Sequence, residues 1–135
     1  MPTRYDVIGF DADDTLWHSE DSFHAVEVRF LELVQPYVDA GIDVPAALRA
    51  TELAHIPIAG YGVKAFTLSM VQAAVTMSDG RVPAAVIGEI VEAGLDMLTE
   101  PVRLLPDVVA AITRAAFANG ATHVTLTISS GEDAE

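Results

Sequence analysis

The chain has 135 residues, of which 51% are hydrophobic, and this suits one globular domain or a small core with an insertion. Its formal net charge of −13 argues against binding to nucleic acid or to anionic membranes, because their phosphates would repel it. The lack of cysteine excludes disulfides and thiolate metal sites and is compatible with a reducing cytosol. With no basic and apolar leader and no apolar run long enough to cross a bilayer, the sequence predicts a soluble, cytoplasmic protein.

The first predicted element is a short apolar strand that ends in acidic residues. The segment from Val7 to Phe10 suits a strand buried in a parallel sheet, and Asp11, Asp13 and Asp14 follow its carboxyl end. In open α/β sheets, chemistry takes place just beyond that end. Three carboxylates within four positions repel one another, so they favour a site for a cation or a phosphate over a solvated acidic turn.

Four amphipathic helices are predicted next. Ser19 can cap the first, which should stop near Pro36, and the second opens at Asp43 and Pro45 and runs to about Leu53. The third spans 63–77 and the fourth starts at 83, with turn residues between them. Their apolar spacing predicts a bundle with these inward side chains: Phe23, Val26, Phe30, Leu33, Val63, Phe66, Met70, Val71, Ala74, Val75, Val86, Ile87, Ile90, Val91, Leu95 and Leu98.

The last predicted elements are a helix and a second strand. The helix opens at Asp107, and Asn119 with Gly120 closes it, because glycine suits a left-handed exit. The strand follows at 123–128 and alternates polar with apolar residues, which is typical of a strand with one solvent-exposed face. Strand, helical excursion, helix and strand again predict a parallel α/β sheet.

The acidic segment resembles the first signature motif of the haloacid dehalogenase (HAD) superfamily of hydrolases. The stretches 10–20, 60–66 and 101–107 are also similar to one bacterial, phosphatase-like branch with a helical cap. The resemblance implies an α/β fold, in which residues 1–16 and 101–135 form an incomplete HAD-like Rossmannoid core with a parallel sheet. Residues 17–100 would form the inserted α-helical bundle cap.

The resemblance also implies a reaction and a cofactor. Asp11 would attack phosphorus and form an aspartyl-phosphate, which splits one displacement into two easier ones. Asp13 would protonate the leaving alcohol and then activate the water. The expected protein ligands of Mg²⁺ are the Asp11 carboxylate and the Asp13 backbone carbonyl. The substrate would be a small phosphate ester.

Further residues receive weaker roles. Thr15 is expected to hydrogen-bond to Asp11 or to support the loop, and Asp14 to cap nearby N–H groups. Ser129 corresponds to the phosphate-binding second motif, with Thr127 as the alternative, and the residues that follow it are Ser130 and Gly131. Lys64, the only lysine, is expected to orient the substrate or to be solvated; the presence of Asp13 argues against a phosphonate hydrolase that would use this lysine. The candidates for lining the cleft, with packing or capping as the alternative, are Trp17, His18 and the turn 60–62.

Three functional hypotheses follow. The first is an Mg²⁺-dependent phosphatase, with weak or absent catalysis by the isolated chain, because the family's third motif (Lys or Arg) and fourth, acidic motif are not found in the sequence. The second is an inactive, truncated module for ligand binding or dimerisation. The third is a phosphomutase. Two parallel strands leave unpaired edges, so we also expect a homodimer or a partner chain that completes the core.

Overall fold

The computed structural model describes residues 8–123, and the regular structure in that range is helical. The helices are α1 (Glu20–Val34), α2 (Val44–Ala59), α3 (Val63–Met77), α4 (Ala84–Thr99) and α5 (Val108–Ala118), with a 3₁₀ helix at Gln35–Tyr37. The chain divides into two compact units. We call Ser22–Glu100 the helical unit, and Met1–Asp21 together with Pro101–Glu135 the split unit.

The helix boundaries follow local capping chemistry. At the start of α2, the Asp43 carboxylate accepts a hydrogen bond of 3.0 Å from the Ala46 N–H, as expected of an N-cap. The predicted end of α2 near Leu53 was wrong, since the helix continues to Ala59 and ends at Gly60, which has a φ of +70°. The additional turns place His55 against α3, where its Nδ1 lies 2.8 Å from the Ser69 hydroxyl.

The core of the helical unit is formed by side chains of all four of its helices. Phe23 of α1 packs edge-on against Phe66 of α3, with ring centroids 5.1 Å apart. The fully or nearly buried hydrophobic residues are Phe30, Val34, Val44, Leu48, Phe66, Met70, Ala73, Ala74, Met77, Val82, Val86 and Ile90. Together with partly buried residues that pack against this core, the buried set confirms most of the predicted core positions; the partly buried ones are Phe23, Val26, Leu33, Val71 and Ile87.

Three predicted core residues are wrong. Val75, Val91 and Leu95 are 43%, 38% and 55% exposed. On α4 the buried face instead includes the small residues Ala93 and Gly94, because they allow a neighbouring helix to approach closely. Large apolar residues alone therefore predicted too broad a buried stripe.

The two ends of the helical unit lie side by side. The Ser22 hydroxyl donates a hydrogen bond of 2.6 Å to the Glu100 carboxylate, which joins the first and last residues of this unit. A unit whose ends meet can be inserted into another unit without separating that unit's two segments. None of the helices within 8–123 is long and apolar enough to cross a membrane.

The predicted parallel sheet is not confirmed. Residues 8–10 lie outside any strand, and Ile8 and Phe10 are 39% and 46% exposed. A buried strand requires hydrogen-bonded neighbours, and the pairings within 8–123 are isolated bridges that join Trp17 to Asp13 and to Leu104. The remainder of both predicted strands lies outside the described residues.

The described part of the split unit contains α5 and the acidic segment. The predicted helix is confirmed: Asp107 precedes it and Gly120, at φ +88°, follows it. Val108 and Ile112 are its buried side chains.

Candidate active site

Residues 12–17 form a closed turn that carries Asp13 and Asp14 and directly follows Asp11. The Ala12 carbonyl oxygen accepts hydrogen bonds from the N–H groups of Thr15 (3.1 Å), Leu16 (2.7 Å) and Trp17 (3.4 Å). The Asp14 N–H donates to the Trp17 carbonyl at 2.8 Å. Asp14 has a φ of +54°, a left-handed conformation that aspartate tolerates better than most residues. The main chain itself therefore fixes this turn.

Two further main-chain hydrogen bonds tie the turn to the segment before α5. The His18 N–H donates to the Arg103 carbonyl at 3.1 Å, and the Leu105 N–H donates to the Leu16 carbonyl at 2.9 Å. These segments are about 90 residues apart in sequence and belong to the same split unit. The acidic turn is thus held by main-chain hydrogen bonds within it and by two more to residues 103–105.

The carboxylates of Asp11 and Asp13 are each bound by the side chain four residues further along. The Thr15 hydroxyl donates to Asp11 Oδ2 at 2.5 Å, as predicted, and the Trp17 indole Nε1–H donates to Asp13 Oδ1 at 2.9 Å. Both aspartates are exposed. Two solvent-accessible carboxylates are therefore oriented on one turn, each with an oxygen that these two bonds do not use.

The third carboxylate, Asp14, has a structural role. It accepts hydrogen bonds from the N–H groups of Ser19 (3.0 Å) and Glu20 (3.1 Å) and from the Ser19 hydroxyl (2.9 Å). These donors, the Ser19 N–H first, hold the pKa of Asp14 below 3.8. The prediction that Asp14 caps backbone N–H groups is confirmed. The predicted N-cap, Ser19, uses its hydroxyl to bind Asp14 at the start of α1.

The other predicted site residues belong to the helical unit or fall outside the described residues. Lys64 is exposed in the first turn of α3, within the helical unit. In the 60–62 turn, Gly60 and Gly62 have positive φ and Tyr61 is 85% exposed. Thr127, Ser129, Ser130 and Gly131 are outside the described residues. The substrate-binding roles assigned to these residues, and to Thr15, stay predictions.

The oxygen donors of the turn suit a hard cation. Asp11 and Asp13 offer carboxylate and carbonyl oxygens, the ligand type that Mg²⁺ takes in small numbers while keeping several waters. Between residues 8 and 123, no group of three or more acidic or histidine side chains is arranged to hold a metal ion. The Mg²⁺ site at Asp11 and Asp13 stays a prediction.

The hydrogen bond from Trp17 to Asp13 was missed by sequence reasoning. The sequence suggested Trp17 as a cleft or packing residue, and the structure places its half-buried ring with Nε1 on the second aspartate of the motif. The spacing was the available signal, since Asp11 with Thr15 and Asp13 with Trp17 share the same interval of four residues.

The fold agrees with that of a known hydrolase. A haloacid dehalogenase-like family hydrolase from Xanthomonas campestris matches with a TM-score of 0.72 and 35% sequence identity over 87% of this chain. The chain therefore has a haloacid dehalogenase-like (HAD-like) fold. The HAD-like chain spans half the length of that hydrolase. Comparison with protein-family models gives no match, and comparison with curated proteins gives none either.

Proposed function

We propose that this HAD-like chain carries the nucleophile and the acid–base group of an Mg²⁺-dependent phosphatase that acts on small phosphate esters. The observation that supports it most is the pair of exposed aspartates, Asp11 just before the closed 12–17 turn and Asp13 within it, each oriented by its own hydrogen bond. The similarity to a HAD-like hydrolase supports the hydrolytic class.

The first step forms a bond between a carboxylate oxygen of Asp11 and phosphorus, while the bond from phosphorus to the ester oxygen breaks. Thr15 holds Oδ2, so Oδ1 of Asp11 is the oxygen that attacks. Asp13 gives its proton to the departing alcohol, because an alkoxide is a poor leaving group. The products are the alcohol and an aspartyl-phosphate on residue 11.

The second step removes the phosphoryl group. A water attacks the phosphorus of the aspartyl-phosphate, and Asp13 takes the proton of that water as the bond to Asp11 breaks. Inorganic phosphate leaves and both aspartates return to their starting forms. Mg²⁺, when bound by the Asp11 carboxylate and the Asp13 carbonyl, would reduce the repulsion between an anionic substrate and a carboxylate nucleophile.

A labelling experiment tests this assignment without requiring fast turnover. The chain is incubated with Mg²⁺ and ³²P-acetyl phosphate and quenched in acid, and the covalent label is tested for release by hydroxylamine, which cleaves acyl phosphates. Acetate leaves without needing a proton, so Asp13→Asn should still be labelled and should retain the label longer than the wild type. Asp11→Asn should not be labelled.

The matched control replaces an exposed carboxylate of the helical unit. Asp96→Asn changes the charge equally and should be labelled like the wild type, since Asp96 is on α4. An unlabelled wild type, or equal labelling of Asp11→Asn, would contradict the proposal. Free phosphate released from p-nitrophenyl phosphate then measures whether the chain completes the cycle.

A further inference from the structure

We infer that Trp17 is a positioning residue for Asp13, and that its indole N–H determines which carboxyl oxygen of Asp13 transfers the proton. This inference rests on the proposed function, because it concerns the acid–base step assigned to Asp13. The geometry that carries it is the 2.9 Å hydrogen bond from Trp17 Nε1 to Asp13 Oδ1.

An indole N–H can donate a hydrogen bond but cannot accept one. It can therefore bind Oδ1 when Asp13 is a carboxylate, and it can bind the same atom as the carbonyl oxygen of the carboxylic acid. A proton on Oδ1 would compete with this hydrogen bond, so the proton belongs on Oδ2. The same contact thus serves both protonation states that the acid–base cycle requires, and Oδ2 is the oxygen that meets the leaving group and the water.

The position of Trp17 does not depend on its ring alone. Its N–H donates to the Ala12 carbonyl at 3.4 Å, its carbonyl accepts from the Asp14 N–H at 2.8 Å, and its backbone forms an isolated bridge with Leu104. These main-chain contacts hold residue 17 in place whatever its side chain is. Trp17→Phe should therefore keep the turn and an aromatic ring while removing only the donor to Asp13.

The hydrogen bond can be observed directly, because the chain contains one tryptophan. The ¹H–¹⁵N spectrum should show one indole N–H resonance, and its shift and exchange rate with water report on its acceptor. Asp13→Ala should shift this resonance upfield and speed its exchange, whereas Asp13→Asn, which keeps a carbonyl acceptor, should have a smaller effect. Asp96→Asn, in the helical unit, should leave the resonance unchanged.

The kinetic test uses two substrates that differ in leaving group. The value of kcat/KM reports on the phosphorylation step, in which a p-nitrophenolate needs little protonation and an alkoxide needs much. Trp17→Phe should lower kcat/KM for an alkyl phosphate by about tenfold, part of the factor supplied by a positioned acid, and lower it much less for p-nitrophenyl phosphate. A merely structural role for the ring would lower both values by the same factor.

The outcomes separate the inference from the proposed function. An indole resonance that is identical in Asp13→Ala and the wild type, or equal losses for both substrates, would overturn the role of Trp17 alone. Wild-type labelling that does not depend on Asp11 would overturn the proposed function and, with it, this inference. Asp13-dependent indole shifts together with a selective loss on the alkyl phosphate would support both.

Discussion

Thr67 of α3 lies directly against the backbone of Gly94 of α4, with no space for a methyl group between them. A Cβ atom at position 94 would lie 2.1 Å from Thr67 Oγ1 and 2.9 Å from Thr67 Cβ. Rotating the Thr67 side chain away from position 94 would break the hydrogen bond of 2.8 Å that its hydroxyl donates to the Val63 carbonyl. The contact defines how closely the two helices pack.

Gly94→Ala should therefore destabilise the helical unit by about 1–3 kcal/mol, the usual cost of overpacking a core. Gly88→Ala is the matched control, because it makes the same change on the same helix where no atom lies within 4 Å. It should stabilise the chain by roughly 0.5–1 kcal/mol through helix propensity. Urea unfolding of both variants measures the difference, and changes of the same sign would contradict the close contact.

Removing the Thr67 atoms that obstruct a Cβ at position 94 should relieve part of the destabilisation expected of Gly94→Ala. Thr67→Ala deletes Oγ1 and Cγ2, the two atoms nearest to a Cβ at position 94, and leaves Cβ. In a double-mutant cycle, the pair Thr67→Ala and Gly94→Ala should thus be less destabilised than the sum of the single variants. Strict additivity would show that the two residues do not interact.

Asp14 should make stability depend on pH in the acid range. Its folded-state pKa lies below its ordinary value, because the Ser19 and Glu20 N–H groups bind the carboxylate. Its contribution is therefore fully present above about pH 3.8 and is lost as the pH falls through the lower folded-state pKa. Asp14→Asn should lower the urea midpoint at pH 7, and its difference from the wild type should shrink towards zero as the pH falls below 3.8. A difference that is independent of pH would contradict a role for the charge.

Glu52 should make the protein less stable as the pH rises, which is the opposite of the effect of Asp14. Its pKa is raised above its ordinary value, first by desolvation and then by the Glu27 charge, while Arg49 opposes the shift. The charged form is thus disfavoured in the fold, so stability falls as the pH rises from 4.5 through the folded-state pKa. Glu52→Gln should raise the unfolding midpoint at pH 7 and have little effect below pH 4.5. Glu92→Gln, on exposed surface of α4, is the control and should change the midpoint little.

The turn between α3 and α4 depends on the buried hydroxyl of Ser78. This hydroxyl accepts a hydrogen bond of 3.1 Å from the Val82 N–H and donates to the Val75 carbonyl at 3.3 Å. Ser78→Ala would leave the Val82 N–H without this acceptor, and we expect a loss of about 1–3 kcal/mol in the free energy of unfolding. Thr76→Ala, at an exposed position nearby, should change it by roughly 0.5 kcal/mol or less.

The helices were predictable from sequence because their signals are local. Asp43, Pro83 and Gly120 mark helix ends through backbone chemistry that acts within a few residues. The end of α2 was not predictable in this way, because a proline usually ends a helix but Pro57 lies inside this one. The later turns are accompanied by a contact between His55 and Ser69, which belongs to another helix.

The candidate site was predictable in its residues and only partly in its contacts. The motif itself indicated Asp11 and Asp13, and the hydrogen bond to Asp11 was one of the two roles expected of Thr15. The role of Trp17 depends on how the 12–17 turn folds, and residue types alone do not encode that geometry. The sheet depends on pairing between distant segments, and the second predicted strand falls almost entirely outside residues 8–123.

The two main-chain hydrogen bonds between the 16–18 and 103–105 segments join peptide groups, whatever the side chains are. Evolution can therefore vary the side chains at His18 and Leu105 widely and still keep the acidic turn aligned. Proline is the exception, because it lacks the backbone N–H that His18 and Leu105 each donate. A library of variants at these two positions should tolerate most amino acids and reject that one.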